Sequence, residues 1–258
     1  MEHAVVDVHG RKINIRRMGK GEPLLFLHGA LGIADHEPGL EELARNFEVI
    51  APDHPGFGGS EVCADVDDIS DLALFYLDVL DHLKLSAVHV AGHCIGGWIA
   101  LEMAIHASNR FKSITLVNSA GLRVKDAPRG DMFLCSEADL VKLLFNGAAG
   151  DAWLKGWRAS PANEDAYERN RGAAAKYTWS PRLCNPKLSH WLHRVTAPTH
   201  VVWSKDNRVL PLAYAQALTS HIPGASSALI ESCGHMAHIE QPKAFADEIT
   251  KATRRAAP

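Results

Sequence analysis

The chain has 258 residues, 47% of them hydrophobic and 22% charged, with a formal net charge of −3. That suits one large globular domain, or one domain with an inserted subdomain. The weak negative charge argues against nucleic acid and anionic membranes as partners, and no 18-residue apolar run is present to cross a bilayer.

In chain order, Ala4–Val8 and Lys12–Arg17 flank Gly10 and predict a hairpin. Pro23 to Leu27 is a short apolar run ended by His28-Gly29, a central strand. Residues 41–46 predict a helix, 47–51 a strand, and 69–83 a helix with apolar residues at Leu72, Phe75, Tyr76, Val79, Leu80 and Leu83. Ala87 to Ala91 predicts a buried strand, 98–104 a helix and 113–117 a strand. Strands alternating with helices mean a mostly parallel sheet covered on both faces.

The alternation stops near Gly121. Between 122 and 194 only helical patterns appear, at 137–145 and 164–176, and four of the six tryptophans fall there. This segment reads as a helical cap whose inner face lines an apolar pocket. Strand, helix, strand and helix then resume at 199–203, 212–218, 227–230 and 244–253. The expected division is core 1–121, cap 122–194, core 195–258.

The chemistry concentrates at Gly92-His93-Cys94-Ile95-Gly96-Gly97. A reactive side chain between glycines on a tight strand-to-helix turn is the layout of a nucleophile elbow, with cysteine where serine is usual. The turn strains the backbone and leaves no room for a flanking Cβ. It also presents the sulfur to a helix N-terminus, whose N–H groups favour thiolate. The plain alternative is a buried cysteine acting as a small hydrophobe. A nucleophile needs a base, and the base an orienting acid, on the same rim of the sheet. Asp206 follows the strand ending at Trp203, and His235 follows the strand ending at Ile230. The remaining cysteines, Cys63, Cys135, Cys184 and Cys233, are scattered and form no C-x-x-C pair. With Met1-Glu2-His3-Ala4 unlike a secretory leader, a reducing cytoplasm is expected. His235 and His238 are three apart without H-E-x-x-H, so no metal is expected.

Five stretches in this order resemble the capped branch of the α/β-hydrolase superfamily: His28-Gly29-Ala30-Leu31-Gly32, Pro52 to Ser60, the elbow, the Asp206 segment and the His235 segment. The resemblance covers the chain outside 122–194 and implies an α/β-hydrolase fold with an inserted helical cap. It implies catalytic Cys94, Asp206 and His235, with oxyanion-hole N–H groups on Ala30 and Ile95. His235 matches a G-H-x-x-x-x-E-x-P pattern, in which His238 falls within the spacer. His93, Trp153 and Trp157 are candidates for lining the substrate pocket. His28, Asp53 and Ser60 are read as architectural.

Cysteine at position 94 departs from the serine-bearing branch and resembles dienelactone hydrolases. It is native and catalytic, or a Ser→Cys replacement, or part of a chain that only binds ligand. A thiolate is also a good leaving group, so activated acyl substrates are expected: a small carboxylic ester, lactone or thioester, with no cofactor. A C–C bond hydrolase or an acyltransferase on the same triad is the enzymatic alternative. A non-catalytic binder of small ligands is the alternative of another class. The sequence sets no oligomeric state.

Overall fold

In the computed structural model the apolar runs assemble into one eight-stranded sheet. The structure describes residues 2–157 and 161–255, the side chains of 157 and 161–163 excepted. The strands are β1 (Glu2–Val8), β2 (Arg11–Met18), β3 (Glu22–Leu27), β4 (Phe47–Pro52), β5 (Val88–His93), β6 (Phe111–Val117), β7 (Thr199–Ser204) and β8 (Ser226–Ile230). Their order is β1-β2-β4-β3-β5-β6-β7-β8. The β1/β2 hairpin joins β4 antiparallel, and every other pairing is parallel.

Central strands need apolar side chains on both faces, because helices cover both. β5 and β7 are buried at all six positions each. Helices α2 (Ile69–His82), α3 (Ile95–Ala107) and α8 (Ala213–His221) contribute to the larger core. Helices α1 (Pro38–Leu43) and α10 (Pro242–Arg255) bury Leu40, Leu43, Phe245 and Ile249 in a second core on the other face. A short α9 (Ala237–Glu240) precedes α10. Asp68 caps α2 by accepting from Asp71 N at 2.9 Å.

Register decides where the loops emerge. His93 pairs with Val117, Val117 with Val202, and Ser204 with Ile230. The turns after β3, β5, β6, β7 and β8 therefore open on one rim. Between β6 and β7 the insertion supplies α4 (Glu137–Leu144), α5 (Ala149–Trp157), α6 (Pro161–Thr178) and α7 (Leu188–Trp191). Side chains of α6 tie it to this rim. Asn170 Nδ2 donates to Leu31 O at 2.7 Å and its Oδ1 accepts from Gly58 N at 2.9 Å. Tyr177 donates to Pro55 O at 3.0 Å. From the other side, Arg208 donates to Lys142 O and Phe145 O at 2.7 and 3.0 Å.

No helix among the described residues is long and apolar enough to cross a membrane.

Candidate active site

Cys94 occupies the single residue between β5 and α3, at φ 54° and ψ −116°. That left-handed conformation is costly for a residue with a Cβ and persists only where the surroundings impose it. Here they do: Cys94 N donates to Val117 O at 3.1 Å, and Cys94 O accepts from Ala120 N at 2.9 Å. The flanking glycines are required by close approach. A Cβ at Gly92 would collide with Gly96 O, and one at Gly96 with Leu27 O. A Cβ at Gly29 would meet His93 Nδ1 at 2.7 Å.

The backbone N–H groups of Ala30 and Ile95 both act to lower the pKa of the Cys94 thiol. Ala30 lies in the 29–32 turn, closed by Gly32 N donating to Gly29 O at 3.1 Å. Ile95 is the first residue of α3, where N–H groups have no intrahelical partner. Cys94 is 2% exposed, and burial pushes its thiol up to about 11 despite these two donors. The thiol is therefore protonated at neutral pH. The sequence-based expectation of a thiolate favoured by the helix end gives way to desolvation.

His235 is brought into the same cavity as Cys94. Its backbone N donates to Leu144 O at 2.7 Å. Its carbonyl accepts from His93 Nε2 at 2.9 Å and Asn118 Nδ2 at 2.8 Å. Desolvation, with further contributions from His93 and His238, lowers its imidazole well below the usual value.

The partner of His235 is not the carboxylate expected at 206. Asp206 Oδ2 accepts from Asn146 Nδ2 at 2.8 Å, and the residue is half-buried at the edge of the turn. The next residue, Asn207, is buried and places Oδ1 3.2 Å from His235 Nδ1. Asn207 Oδ1 also accepts from Val209 N and Leu210 N, both at 3.0 Å. Two backbone donors on one amide atom require that atom to be the oxygen. His235 Nδ1 then carries the proton and donates. Its Nε2 is left as a lone-pair acceptor, buried and unpartnered in the described structure. The turn after β7 swings residue 206 outward and residue 207 inward, a choice one residue wide.

His93 lines the cavity at Cys94, and its ring centroid stands 4.8 Å from that of His235. Trp153 does not line it; its ring packs on Phe145 at 5.2 Å. The side chain of Trp157 lies outside the described residues. Met132, Leu144 and Met236 also line the cavity and were not singled out in advance; His238, read as a spacer residue after His235, lines it as well. Met132 and Leu144 come from a segment with no strand–helix alternation to mark an inner face. The structure also brings in His238: its Nε2 lies 3.6 Å from Glu37 Oε2 and its Nδ1 is buried without a partner.

The space over the sulfur is tight. About 10 Å³ is open to the centre of a water molecule, room for roughly one water. Past Ala30, Leu31 and Met132 a second chamber continues to Phe133, Leu140, Tyr167 and Arg171.

Comparison with known proteins agrees with this architecture. The sequence profile of the Alpha/beta hydrolase family matches residues 24–248. The chain is 28% identical over 254 residues to a 2-hydroxymuconate semialdehyde hydrolase of a Pseudomonas species, covering 92% of this chain and 88% of that one. It is also 28% identical over 253 residues to the dihydrolipoyllysine-residue acetyltransferase component of an acetoin cleaving system of Cupriavidus necator. That match covers 93% of this chain but only 66% of the relative's length. Among solved structures, a serine hydrolase involved in carbazole degradation superposes with a TM-score of 0.79 at 26% identity, covering 98% of this chain and 99% of that one.

Proposed function

Since this chain belongs to the alpha/beta hydrolase family, we propose that it hydrolyses a small activated carboxylic ester, lactone or thioester through an acyl-enzyme on Cys94. The observation that carries the reading is a convergence. A buried thiol and an imidazole with a free lone pair line one small cavity, and the backbone N–H groups of Ala30 and Ile95 both act on that thiol.

The steps follow from the protonation states. His235 Nε2 takes the thiol proton as Sγ bonds to the carbonyl carbon. The carbonyl oxygen becomes an oxyanion held by the N–H groups of Ala30 and Ile95. The intermediate collapses, the bond to the leaving group breaks, and His235 returns the proton to that group. Water then gives a proton to His235 Nε2 and attacks the thioester. Collapse of the second intermediate releases the acid and reforms the thiol. Throughout, Asn207 Oδ1 holds Nδ1–H and fixes the ring and its tautomer. An amide carries no charge to stabilise imidazolium. It therefore suits an acidic nucleophile such as a thiol better than a hydroxyl. That pairing supports cysteine as the resident nucleophile over an isolated Ser→Cys exchange, which would leave a carboxylate facing the histidine. We assign the insertion, residues 122–194, the role of a cap that closes the cavity through Met132 and Leu144. The five free thiols are in keeping with a reducing cytoplasm as the setting.

The similarity to a 2-hydroxymuconate semialdehyde hydrolase over 92% of the chain favours C–C bond hydrolysis as a second reading. The test is intact-protein mass spectrometry after exposure to p-nitrophenyl acetate, phenyl thioacetate and a vinylogous 1,5-diketone. An acetyl adduct on wild type and none on Cys94→Ala is expected with the first two. Turnover of the diketone alone would move the assignment to the second reading. No adduct and no turnover with any of them would leave a binding protein.

A further inference from the structure

A second hollow, larger than the cavity at Cys94, lies elsewhere among the described residues. A cleft of ≈ 940 Å³ opens where the chain leaves β6 for the insertion, walled by residues 123–131 with Arg182 and Tyr214. Four cationic side chains line it, Arg123, Lys125, Arg129 and Arg182, against the carboxylates Asp126 and Asp131. The chain as a whole is negative, so this local excess runs against the trend.

The charges are not compensated from within. Arg182 donates to Asp131 at 3.1 Å and lies over the Trp179 ring at 4.8 Å, yet its Nε is buried without an acceptor. Arg129 is half-buried and, among the described residues, meets no hydrogen-bond acceptor and no carboxylate; its Nη1 is shut off from water. Arg123 and Lys125 form no ion pair among the described residues either. Tyr214 OH is committed to Ala127 O at 3.1 Å. A desolvated guanidinium nitrogen without an acceptor is costly, and an anion would relieve it.

We propose that this cleft binds a phosphate-type polyanion. One carboxylate would satisfy one arginine; three unpaired cations facing one hollow call for a multiply charged group, and guanidinium forks match phosphate geometry. The volume exceeds a bare ion and accommodates an organic phosphoester. The chemistry has two sources: a separate phosphoester, or a phosphorylated tail of the acyl substrate. Both are compatible with position, because the cleft wall at Asp131 runs directly into Met132, which lines the cavity of Cys94.

The test is calorimetric titration of the whole protein with inorganic pyrophosphate. Binding is expected for wild type and for Cys94→Ala, weakening with salt, and at least about tenfold weaker in the double variant Lys125→Gln/Arg129→Gln. Because Arg129 has no protein partner, the double variant keeps the wild-type thermal midpoint. No binding, or binding unchanged in the double variant, overturns the proposal, and neither result depends on Cys94 being reactive. Kinetics then separate the sources. If the polyanion is the substrate's tail, the double variant loses kcat/KM for acetyl-coenzyme A and not for phenyl thioacetate. If it is a separate ligand, pyrophosphate alters turnover of phenyl thioacetate in wild type and not in the variant.

Discussion

At position 207 one atom decides the tautomer of His235, and so the direction in which the proton moves. Asn207→Ala removes the acceptor of Nδ1–H and should lower kcat on p-nitrophenyl acetate by about 10²-fold, the low end of what general acid–base positioning contributes. Asp206→Asn should stay within about twofold, since its Oδ2 only accepts from Asn146. The reverse pattern would return the orienting role to Asp206. Cys94→Ser should be slower than wild type on every ester, because an amide supports imidazolium poorly. Cys94→Ser/Asn207→Asp should recover at least about tenfold over Cys94→Ser by restoring a charged partner. Failure of the second change to help would break the proposed link between amide and thiol. With the thiol pushed up to about 11 and His235 well below its usual value, the resting pair is uncharged. The wild-type rate should then show no acid limb near pH 6.5. The strand-to-helix turn at Cys94 and the positions of Ala30, Ile95 and His235 at strand ends were legible in sequence, because each follows a strand end with its own flanking glycine or glycine pair; their roles remain part of the proposal. The residue paired with His235 Nδ1 was not legible. A search for a carboxylate stops at Asp206, and only the path of the turn decides which of two adjacent side chains faces inward.

Elements were legible where their pattern is dictated by burial on both faces, as in β3, β5 and β7. The order of the sheet was not, because pairing depends on contacts far apart in sequence. The start of α3 was read at Trp98, three residues late, since Ile95-Gly96-Gly97 has poor helix propensity and is helical through the imposed turn. Helix α5 was missed altogether: Gly150 and Gly156 dilute its apolar face. The same segment misled the search for pocket residues, because large aromatics mark burial and not the direction of burial. Trp153 is half-buried against Phe145. Trp153→Ala should therefore cost about 2 kcal/mol in stability, less than a fully buried tryptophan, with acyl preference unchanged. Ala30, Leu31 and Met132, of which Met132 has the largest side chain, line both chambers. Met132→Ala should join them and raise kcat/KM for hexanoyl over acetyl esters by about tenfold, the scale of a few methylenes in an apolar pocket. Thermal midpoints measured beside the kinetics distinguish the two outcomes. Selectivity that shifts with Trp153 and not with Met132 would place the acyl group on the other side of the insertion.

Across the molecule, five imidazoles are locked neutral in one band beneath the carboxyl rim of the sheet. His28 Nδ1 donates to Gly29 O at 2.7 Å, and its Nε2 accepts from His54 N at 3.0 Å. His54 Nε2 donates to His28 O at 3.0 Å, and its Nδ1 accepts from the Tyr76 hydroxyl at 2.5 Å. Neither ring can take a second proton without losing an accepted bond. Burial lowers His28 to about 3 and His93 to about 4, and holds His54, His235 and His238 well below the usual range. On unfolding, all five return to titrating near 6.5. Below that pH the unfolded chain binds protons that the folded chain refuses, so stability falls as pH falls. Each such histidine contributes up to about 1.4 kcal/mol per pH unit until its folded value is reached. Glu37 acts in the opposite sense. Burial raises it to about 7, so its contribution diminishes as pH rises from about 4.5 toward 7. Glu240, also raised by burial, acts in the same sense as Glu37, and His89, also lowered by burial, acts with the five, so the histidines outnumber the raised carboxylates. The expected thermal midpoint is level from pH 8 to 7 and drops with increasing slope from 6.5 to 5, before most carboxylates titrate. The slope should lessen in His54→Asn, which has one fewer proton to gain on unfolding, whatever that variant's absolute stability. A midpoint that stays level down to pH 5 would mean that these rings accept protons in the folded chain. In that case the uncharged resting pair at Cys94 and His235 would have to be given up with them.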